Sequence, residues 1–500
     1  MAVQGVSASR LLLITVFLVV AAYCAFLQFL SPCLYEVDGY YNAAVANFIK
    51  DLGPRFKFHW AQVSTFRDSY GDTEFIFHLS IIPFLYLVPD IVFAGKLCVV
   101  FWNIVFLLTF LYILKKYLPG PLAAIFMALP FLSPAFTLFF LRLRAVTPAI
   151  ILTALSVHCL IKKRFRYLFA LSAIYALSHP SFPLMILLAF MCEAARRFKG
   201  EGFFAKNVYA VLLGGLVGLI INPTFPNNVF TMFLNGVMVP IYSVMDKGII
   251  FGREVYTQAP DLVLTANFAV FFALVIILWM AFVRRPRISF ATVAWSVPAV
   301  LYLLLALRSD RFWYPANALF FIFFASFLAD CKGGGSWKDM ARPLAKAGII
   351  YGVIIAFFLP LNTRIMKDTI AFDIAYNSHF ERVGRWMRAN LPKGERVYHA
   401  NGDNASYFLC MNPDNDYLVL CDPIYMFWKY PKEYAAFLAL RQGKVEKPYE
   451  VIRDVFACRY GYTQKDRPLY RQVAGDPAHF NILYEDGFGV VFEVGRFGRT

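Results

Sequence analysis

The chain has 500 residues, 59% of them hydrophobic and only 16% charged, with a net charge of +16. Soluble domains rarely carry so much apolar content, and runs of roughly 18 or more apolar residues are long enough to cross a bilayer. A polyanion-binding face is excluded by where the charge falls: residues 365–500 hold 18 Lys/Arg against 17 Asp/Glu, whereas residues 1–364 hold 30 against 15. The surplus lies in short loops between apolar runs, which is the positive-inside signature and not a nucleic-acid surface.

In chain order, about eleven membrane spans are predicted. The first covers 11–30. It follows Arg10 and lacks a small-residue cleavage site, so it reads as a retained helix and not a signal peptide. A polar stretch, 31–73, comes next. Residues 75–87 are apolar but short and contain Pro83, which suits a helix lying at the interface. Spans 2, 3 and 4 cover 92–114, 122–141 and 146–161. Spans 5 and 6 flank the turn Ser178-His179-Pro180-Ser181-Phe182-Pro183. Span 7 (208–221) ends at Asn222-Pro223, and a mixed segment runs to Asp261. Spans 8 and 9 end at Arg284-Arg285-Pro286-Arg287 and at Arg308-Ser309-Asp310-Arg311. Spans 10 and 11 cover 312–328 and 348–361.

With Arg10 inside, the basic clusters at 115–116, 162–166, 196–199, 284–287 and 332–346 all fall on the inner side. The 31–73 stretch, the two Pro/Asn turns and the tail fall outside. Arg142 and Arg144, and likewise Arg308 and Arg311, are outside cations that break the rule. The tail, 365–500, reads as a soluble α/β domain. It has an amphipathic helix over 380–390, strands over 396–399, 417–420 and 490–494, and a helix over 430–441. The division is therefore a membrane domain, 1–364, with a large first external loop, 31–91, and an external domain, 365–500.

Of nine cysteines, Cys24, Cys98, Cys159 and Cys192 lie in apolar runs, where packing is the default role. No C-x-x-C pair exists, so a zinc or redox motif has no basis. Cys410 and Cys421 flank an expected hairpin, and a disulfide between them stays open.

Chemical character concentrates in Glu36-Val37-Asp38-Gly39-Tyr40-Tyr41-Asn42, directly after the first span. A carboxylate just outside the membrane can take a proton from a hydroxyl nucleophile or hold a divalent metal. Asp38 can equally cap a helix running through Ile49, and both readings stand. Gly39 permits a sharp turn, and Tyr40 and Tyr41 suit headgroup depth. Asp403 and Asp422 read first as turn residues. The chain holds no nucleophile triad and no phosphate-cradling glycine loop.

An acidic-Gly-Tyr-Tyr motif after the first span resembles the first external loop of GT-C fold glycosyltransferases, which include oligosaccharyltransferases, protein O-mannosyltransferases and the lipid A aminoarabinose transferase. Tyr70-Gly71-Asp72-Thr73-Glu74-Phe75-Ile76-Phe77-His78 is similar to the second half of that loop in bacterial members, and Arg311-Phe312-Trp313-Tyr314-Pro315 to a late-span motif. One departure is Asn42, where many relatives have His. The resemblance implies a polytopic α-helical GT-C membrane enzyme in the cell inner (plasma) membrane, N-terminus cytoplasmic and tail periplasmic. It would move a sugar from a polyprenyl-phosphate or diphosphate carrier to a glycan, lipid or protein acceptor.

Carried over, Asp38 is the catalytic base or metal ligand. Asp72 and Glu74 are candidates for a second carboxylate, against a solvated helix start. Because Arg suits phosphate, Arg142, Arg144, Arg308 and Arg311 are candidates for the lipid phosphate, against snorkelling at helix ends. Tyr40, Tyr41, His78, His179 and Tyr314 are candidates to line the cavity. His78 reads as a packing histidine and His179 as a turn residue in the plainer alternative. The only cofactor the resemblance admits is a divalent metal, Mg or Mn. The rival functions are a transporter or flippase of a lipid-linked or small solute, and a non-catalytic subunit of envelope biogenesis. The first expects repeat symmetry and midplane charges, which the sequence does not display, but also broken helices, which the short, Pro-interrupted spans 5 and 6 resemble, so that reading stays open.

Overall fold

A computed structural model describes residues 8–245, 248–257 and 259–495. Among these, five helices are long and apolar enough to cross a membrane: Ser9–Leu30, Ile91–Leu114, Asn227–Met245, Asp310–Lys332 and Ala341–Asn390. Two further pairs, Gly120–Leu132 with Pro134–Phe140 and Pro260–Ala266 with Phe268–Arg284, bend by 91° and 78° at short breaks, giving up to seven. The chain is thus polytopic and helical, with fewer full-length spans than the eleven apolar runs suggest. The reason is length. Val146–Ile161, Phe165–Ser178, Ala205–Ile221 and Phe290–Ala306 have 17 residues or fewer, short of the ~20 a simple crossing needs.

Two expectations change shape. The third apolar run is broken, because Pro130 and Pro134 interrupt the ladder and a 3₁₀ turn, Leu129–Leu132, separates its halves. The mixed segment after residue 221 is helical over Asn227–Met245, with a π-turn at Leu234–Met238.

The basic clusters gather at one end of the bundle. Arg196 donates to Glu193 at 3.0 Å and to the Leu160 carbonyl at 2.6 Å. Lys199 donates to the Ile288 carbonyl at 2.9 Å, and Arg284 to that of Asp339 at 3.0 Å. Tyr117, beside Lys116, accepts from Trp295 Nε1 at 2.8 Å.

At the other end stands the tail. Ala341–Asn390 is one 50-residue helix, about 75 Å long at 1.5 Å per residue. It runs unbroken through position 365, since no glycine or proline falls between Leu361 and Val383, and Pro392 ends it. Beyond it lies a five-stranded sheet of order β2-β1-β3-β5-β4, with β1 Arg396–His399, β2 Asp416–Tyr417, β3 Tyr460–Gln464, β4 Phe480–Glu485 and β5 Gly489–Val494. The β1 strand runs parallel to β2 and β3, and β5 is antiparallel to β3 and β4.

The expected strand 417–420 shortens to Asp416–Tyr417 because the next residues bond elsewhere. The Leu418 N–H donates to His399 Nε2 at 3.1 Å, and the Leu418 carbonyl accepts from Val63. The first external loop is therefore stitched to the tail: the Tyr417 N–H donates to the Trp60 carbonyl at 2.7 Å and the Gln62 N–H to that of Tyr417 at 2.8 Å. Across the same seam Phe380 stacks on Tyr407, and Tyr40 packs against Tyr407 at a tilt, with centroids 4.7 and 4.6 Å apart. No hairpin lies between Cys410 and Cys421. Cys410 ends a helix, Gly402–Met411, and both thiols are free.

Candidate active site

The seam between bundle, first loop and tail encloses a cavity of about 1230 Å³. Its first wall is the start of the helix Asp38–Leu52. Val37, not Asp38, is the N-cap and makes no side-chain cap bond. Asp38 is the first helical residue, and its carboxylate turns to Arg144 instead of capping its own helix.

Arg142-Leu143-Arg144 lies across from it, just after the broken third run. Leu143 is wedged: a Cβ on Gly39 would lie 3.3 Å from the Leu143 Cβ, and one on Gly95 2.9 Å from its Cδ2. Gly39 thus serves close approach, not the sharp turn expected, since its φ is not positive. Asn42 Nδ2 donates to the Leu143 carbonyl at 2.9 Å, and Tyr35 and Arg142 form an isolated parallel bridge. The two arginines flanking Leu143 consequently point into the cavity.

Arg144 is the hub of that wall. It bonds Asp38, Glu36 Oε1 at 2.8 Å, and Glu254 through both oxygens at 2.8 and 3.2 Å. Arg142 stands 3.8 Å from Glu36 and 3.9 Å from Glu254, with its guanidinium 4.0 Å above the Phe139 ring. Burial pushes the Glu254 carboxyl up, but Arg144 and Arg142 prevail and hold it below the usual range. The reciprocal pull of Glu254 and Glu36 raises Arg144 against its own burial. Glu36 occupies left-handed backbone, φ 67°, and its Oε2 is buried without a hydrogen-bond partner. Such strain in a non-glycine residue is characteristic of sites built for binding or chemistry.

Arg308 and Arg311 also line the cavity, and among the described residues neither makes an ion pair. Arg311 rests 5.4 Å from the Phe312 ring, and its Nε is buried with no acceptor. A buried, unsatisfied guanidinium donor is costly unless a ligand supplies the acceptor. His179, also in the wall, accepts from the Ser181 N–H at Nδ1, 3.1 Å. Burial, with Arg311 and Arg144 adding to it, lowers its pKa to about 3, so the ring is neutral.

Asp72, Glu74 and His78 form a different unit at the cavity floor. Asp72 is buried and not a solvated helix start. Its Oδ1 accepts from the Glu74 N–H at 2.8 Å, and its Oδ2 pairs with His78 Nδ1 at 2.9 Å. His78 Nε2 meets Asn42 Oδ1 at 3.1 Å, so Asp72, His78, Asn42 and Leu143 form one chain. Both Asp72 oxygens are committed to holding the loop. Glu74 is uncommitted, and burial raises its pKa to about 7.

Two of the expected lining residues are elsewhere. Tyr40 donates to Glu381 at 2.6 Å and packs at a tilt against Tyr407. Tyr41 faces the cavity instead, because successive helical residues point about 100° apart. Tyr314 bonds Thr147 at 3.0 Å and packs on Phe136, inside the bundle. Conversely, Glu254, Asp403 and Asp422 line the cavity although their local sequence reads as loop or turn, and so does Arg441, at the end of the helix Pro431–Arg441. Burial pushes Asp422 up to about 7 and raises Asp403 as well.

The donor set does not fit a divalent metal. Glu36, Asp38 and Glu254 converge on a guanidinium, which already supplies their counter-charge. Among the described residues no three His, Cys, Asp or Glu groups are arranged to cage an ion.

No protein-family model matches the chain, and no curated protein does. Solved structures do match. The Archaeoglobus fulgidus oligosaccharyltransferase tethered to an acceptor peptide aligns over 96% of this chain and 74% of its own, at 13% identity and TM-score 0.60. ArnT from Cupriavidus metallidurans bound to undecaprenyl phosphate aligns over 97% and 98%, at 11% identity and TM-score 0.61. The archaeal oligosaccharyltransferase AglB with an inhibitory peptide and a dolichol-phosphate aligns over 90% and 69%, at 12% identity and TM-score 0.55. These neighbours are GT-C fold glycosyltransferases, and the fold of this chain is theirs.

Proposed function

We propose that this GT-C fold chain is a membrane glycosyltransferase that takes a sugar from a polyprenyl-phosphate carrier and passes it to an acceptor on the outer face of the cell membrane. The observation that carries the reading is that two guanidiniums making no ion pair among the described residues, Arg308 and Arg311, and a carboxylate, Asp38, stand in the walls of one cavity. The undecaprenyl phosphate bound to the neighbour ArnT and the dolichol-phosphate bound to AglB support it.

In the proposed step the acceptor oxygen attacks the sugar anomeric carbon as the bond from that carbon to the phosphate oxygen breaks. The acceptor proton passes to the Asp38 carboxylate. The electron pair leaves on the lipid phosphate, whose growing charge meets Arg308 and Arg311. One direct displacement inverts the anomeric configuration. Arg144 holds Asp38 in place and keeps the three carboxylates from repelling one another. The other two candidates for the phosphate change standing: Arg144 is consumed by carboxylates, and Arg142 is shared between Glu36 and Glu254. The basic end of the bundle faces the cytoplasm in this reading, and the cavity and tail face the periplasm.

The test is sugar transfer from radiolabelled polyprenyl-linked donors by the purified chain in proteoliposomes. Asp38→Asn is expected to lower turnover by about 10²- to 10⁴-fold, the usual contribution of a general base, with unchanged membrane insertion. Full activity in that variant would exclude the role. Labelled lipid crossing the bilayer without transfer would favour a flippase.

A further inference from the structure

Building on the glycosyl-transfer reading, we propose that the His179 imidazole recognises the donor's sugar, its Nε2–H donating to the hydroxyl on C2, the carbon beside the one that reacts.

The tautomer is fixed by the turn that carries the ring. The Ser181 N–H donates to His179 Nδ1 at 3.1 Å, and Ser181 Oγ lies 2.7 Å from the same nitrogen. Nδ1 is therefore an acceptor. Burial, with Arg311 and Arg144 adding to it, keeps the ring neutral, so its one proton sits on Nε2. Among the described residues Nε2 makes no hydrogen bond. His179 is half-buried in the cavity wall and holds there a neutral donor that no protein group uses.

A chain of hydroxyls holds the ring from behind. Ser181 Oγ is 3.1 Å from the Tyr175 hydroxyl, and that hydroxyl is 3.1 Å from Thr153 Oγ1. The Tyr302 hydroxyl is within hydrogen-bond reach of both Tyr175 and Thr153. Thr153, Tyr175 and Tyr302 are buried, and all of these side chains line the cavity. The helices that supply them, Val146–Ile161, Phe165–Ser178 and Phe290–Ala306, give the cavity only uncharged residues. This wall offers hydrogen bonds without charge, which suits the hydroxyls of a sugar and not a phosphate.

Position selects the sugar carbon. In the proposed displacement the phosphate lies at Arg308 and Arg311, and the acceptor lies at Asp38, which Arg144 holds. The anomeric carbon must pass between them. The His179 ring is within electrostatic reach of Arg311 and Arg144 alike, so it stands beside that carbon. The sugar's own oxygens nearest the anomeric carbon are the ring oxygen and the C2 hydroxyl. The ring oxygen gives up electron density as the bond to phosphate breaks, and a donor bound to it would oppose the reaction. The C2 hydroxyl carries no such conflict, and hydrogen bonds to it strengthen in transition states of this kind. The substrate class that follows is an aldopentose or aldohexose with a free C2 hydroxyl.

The test is displacement of radiolabelled undecaprenyl phosphate from the full chain in nanodiscs. The competitors are undecaprenyl-phosphate-linked glucose, mannose and arabinose, and the 2-deoxy counterpart of each. For at least one pair the 2-deoxy lipid is expected to bind about 2- to 10-fold more weakly. His179→Phe is expected to abolish that difference, and His179→Gln, which keeps an N–H donor, to retain part of it. Undecaprenyl phosphate carries no sugar and controls for damage to the cavity. No difference within any pair, a difference that survives His179→Phe, or a His179→Phe that weakens undecaprenyl phosphate as much as the sugar-bearing lipids would each overturn the inference and leave the transferase reading standing. If none of these lipids bound in a manner sensitive to the double variant Arg308→Met, Arg311→Met, the transferase reading would fall, and this inference with it.

Discussion

Replacing Arg311 by methionine separates a ligand-binding cation from a structural one. Methionine keeps an unbranched stem against Phe312 and deletes the guanidinium. Arg311 makes no ion pair among the described residues, and its Nε is buried without an acceptor. Its loss therefore strands no carboxylate, and folding stability is expected to stay within about 0.5 kcal/mol. A charge-assisted hydrogen bond to phosphate is worth about 1.5–3 kcal/mol, so kcat/KM for the lipid donor should fall by about 10- to 150-fold. Because the leaving phosphate gains charge in the transition state, part of the loss should be in kcat. Arg144→Met is the contrast. It strands Glu36, Asp38 and Glu254, whose side chains are 18, 33 and 28% exposed, and should cost about 1–3 kcal/mol of stability, reduced from the fully buried figure by that exposure. Initial rates in proteoliposomes give the kinetics. A thiol-reactive dye reports unfolding, since all nine cysteines are free and eight are buried. Arg311→Met turning over within two-fold of the unmodified chain would refute the assignment.

Three further outcomes are expected. Asp422, whose pKa is pushed up to about 7 by burial, binds its proton more tightly folded than unfolded, so its contribution to stability is present below pH ~4 and lost as pH rises through 7. The melting temperature of Asp422→Asn relative to the unmodified chain should therefore rise between pH 5 and pH 8; an equal difference at both would contradict the burial. A Cβ on Gly71 would meet the Asn227 carbonyl oxygen at 2.2 Å, so Gly71→Ala should cost about 1–3 kcal/mol by overpacking, read as a lower melting temperature. A thiol at Ser336→Cys should resist an impermeant maleimide in intact cells, while Lys393→Cys, 80% exposed on the tail, should label. Reversal of the pair would invert the orientation.

Much of the helical layout is legible in the sequence because apolar runs, prolines and basic clusters are local signals. The helix Phe75–Leu87 has the expected bounds, and β1 does too. The number of full crossings is not legible in the same way. A run such as Val146–Ile161 is apolar whether it spans alone or packs short among neighbours, and only tertiary packing distinguishes the two. The seam was hidden for a related reason. Trp60, Gln62 and Val63 pair with residues near 417, more than 350 positions away, and an irregular edge contact leaves no periodic trace.

The candidate site divides likewise. Asp38 and Arg144 are marked by their place beside predicted spans, and the structure brings them into contact. Glu254 lies in a segment with no hydrophobic period, and Asp403 and Asp422 carry the look of ordinary turns, so nothing local marks them as cavity groups. Tyr40 and Tyr41 are equivalent as letters. Helical phase assigns Tyr41 to the cavity and Tyr40 to the tail. Asn42, the departure from the His common in relatives, has a structural rationale here. It links His78 to the Leu143 carbonyl and so fixes the segment that presents Arg142 and Arg144.

A structure of the chain with undecaprenyl phosphate bound tests the central claim most directly. The phosphate is expected in the cavity, within about 3 Å of the Arg308 and Arg311 guanidiniums and facing Asp38. A headgroup held instead at the opposite, basic end of the bundle, with the cavity empty of lipid, would contradict it.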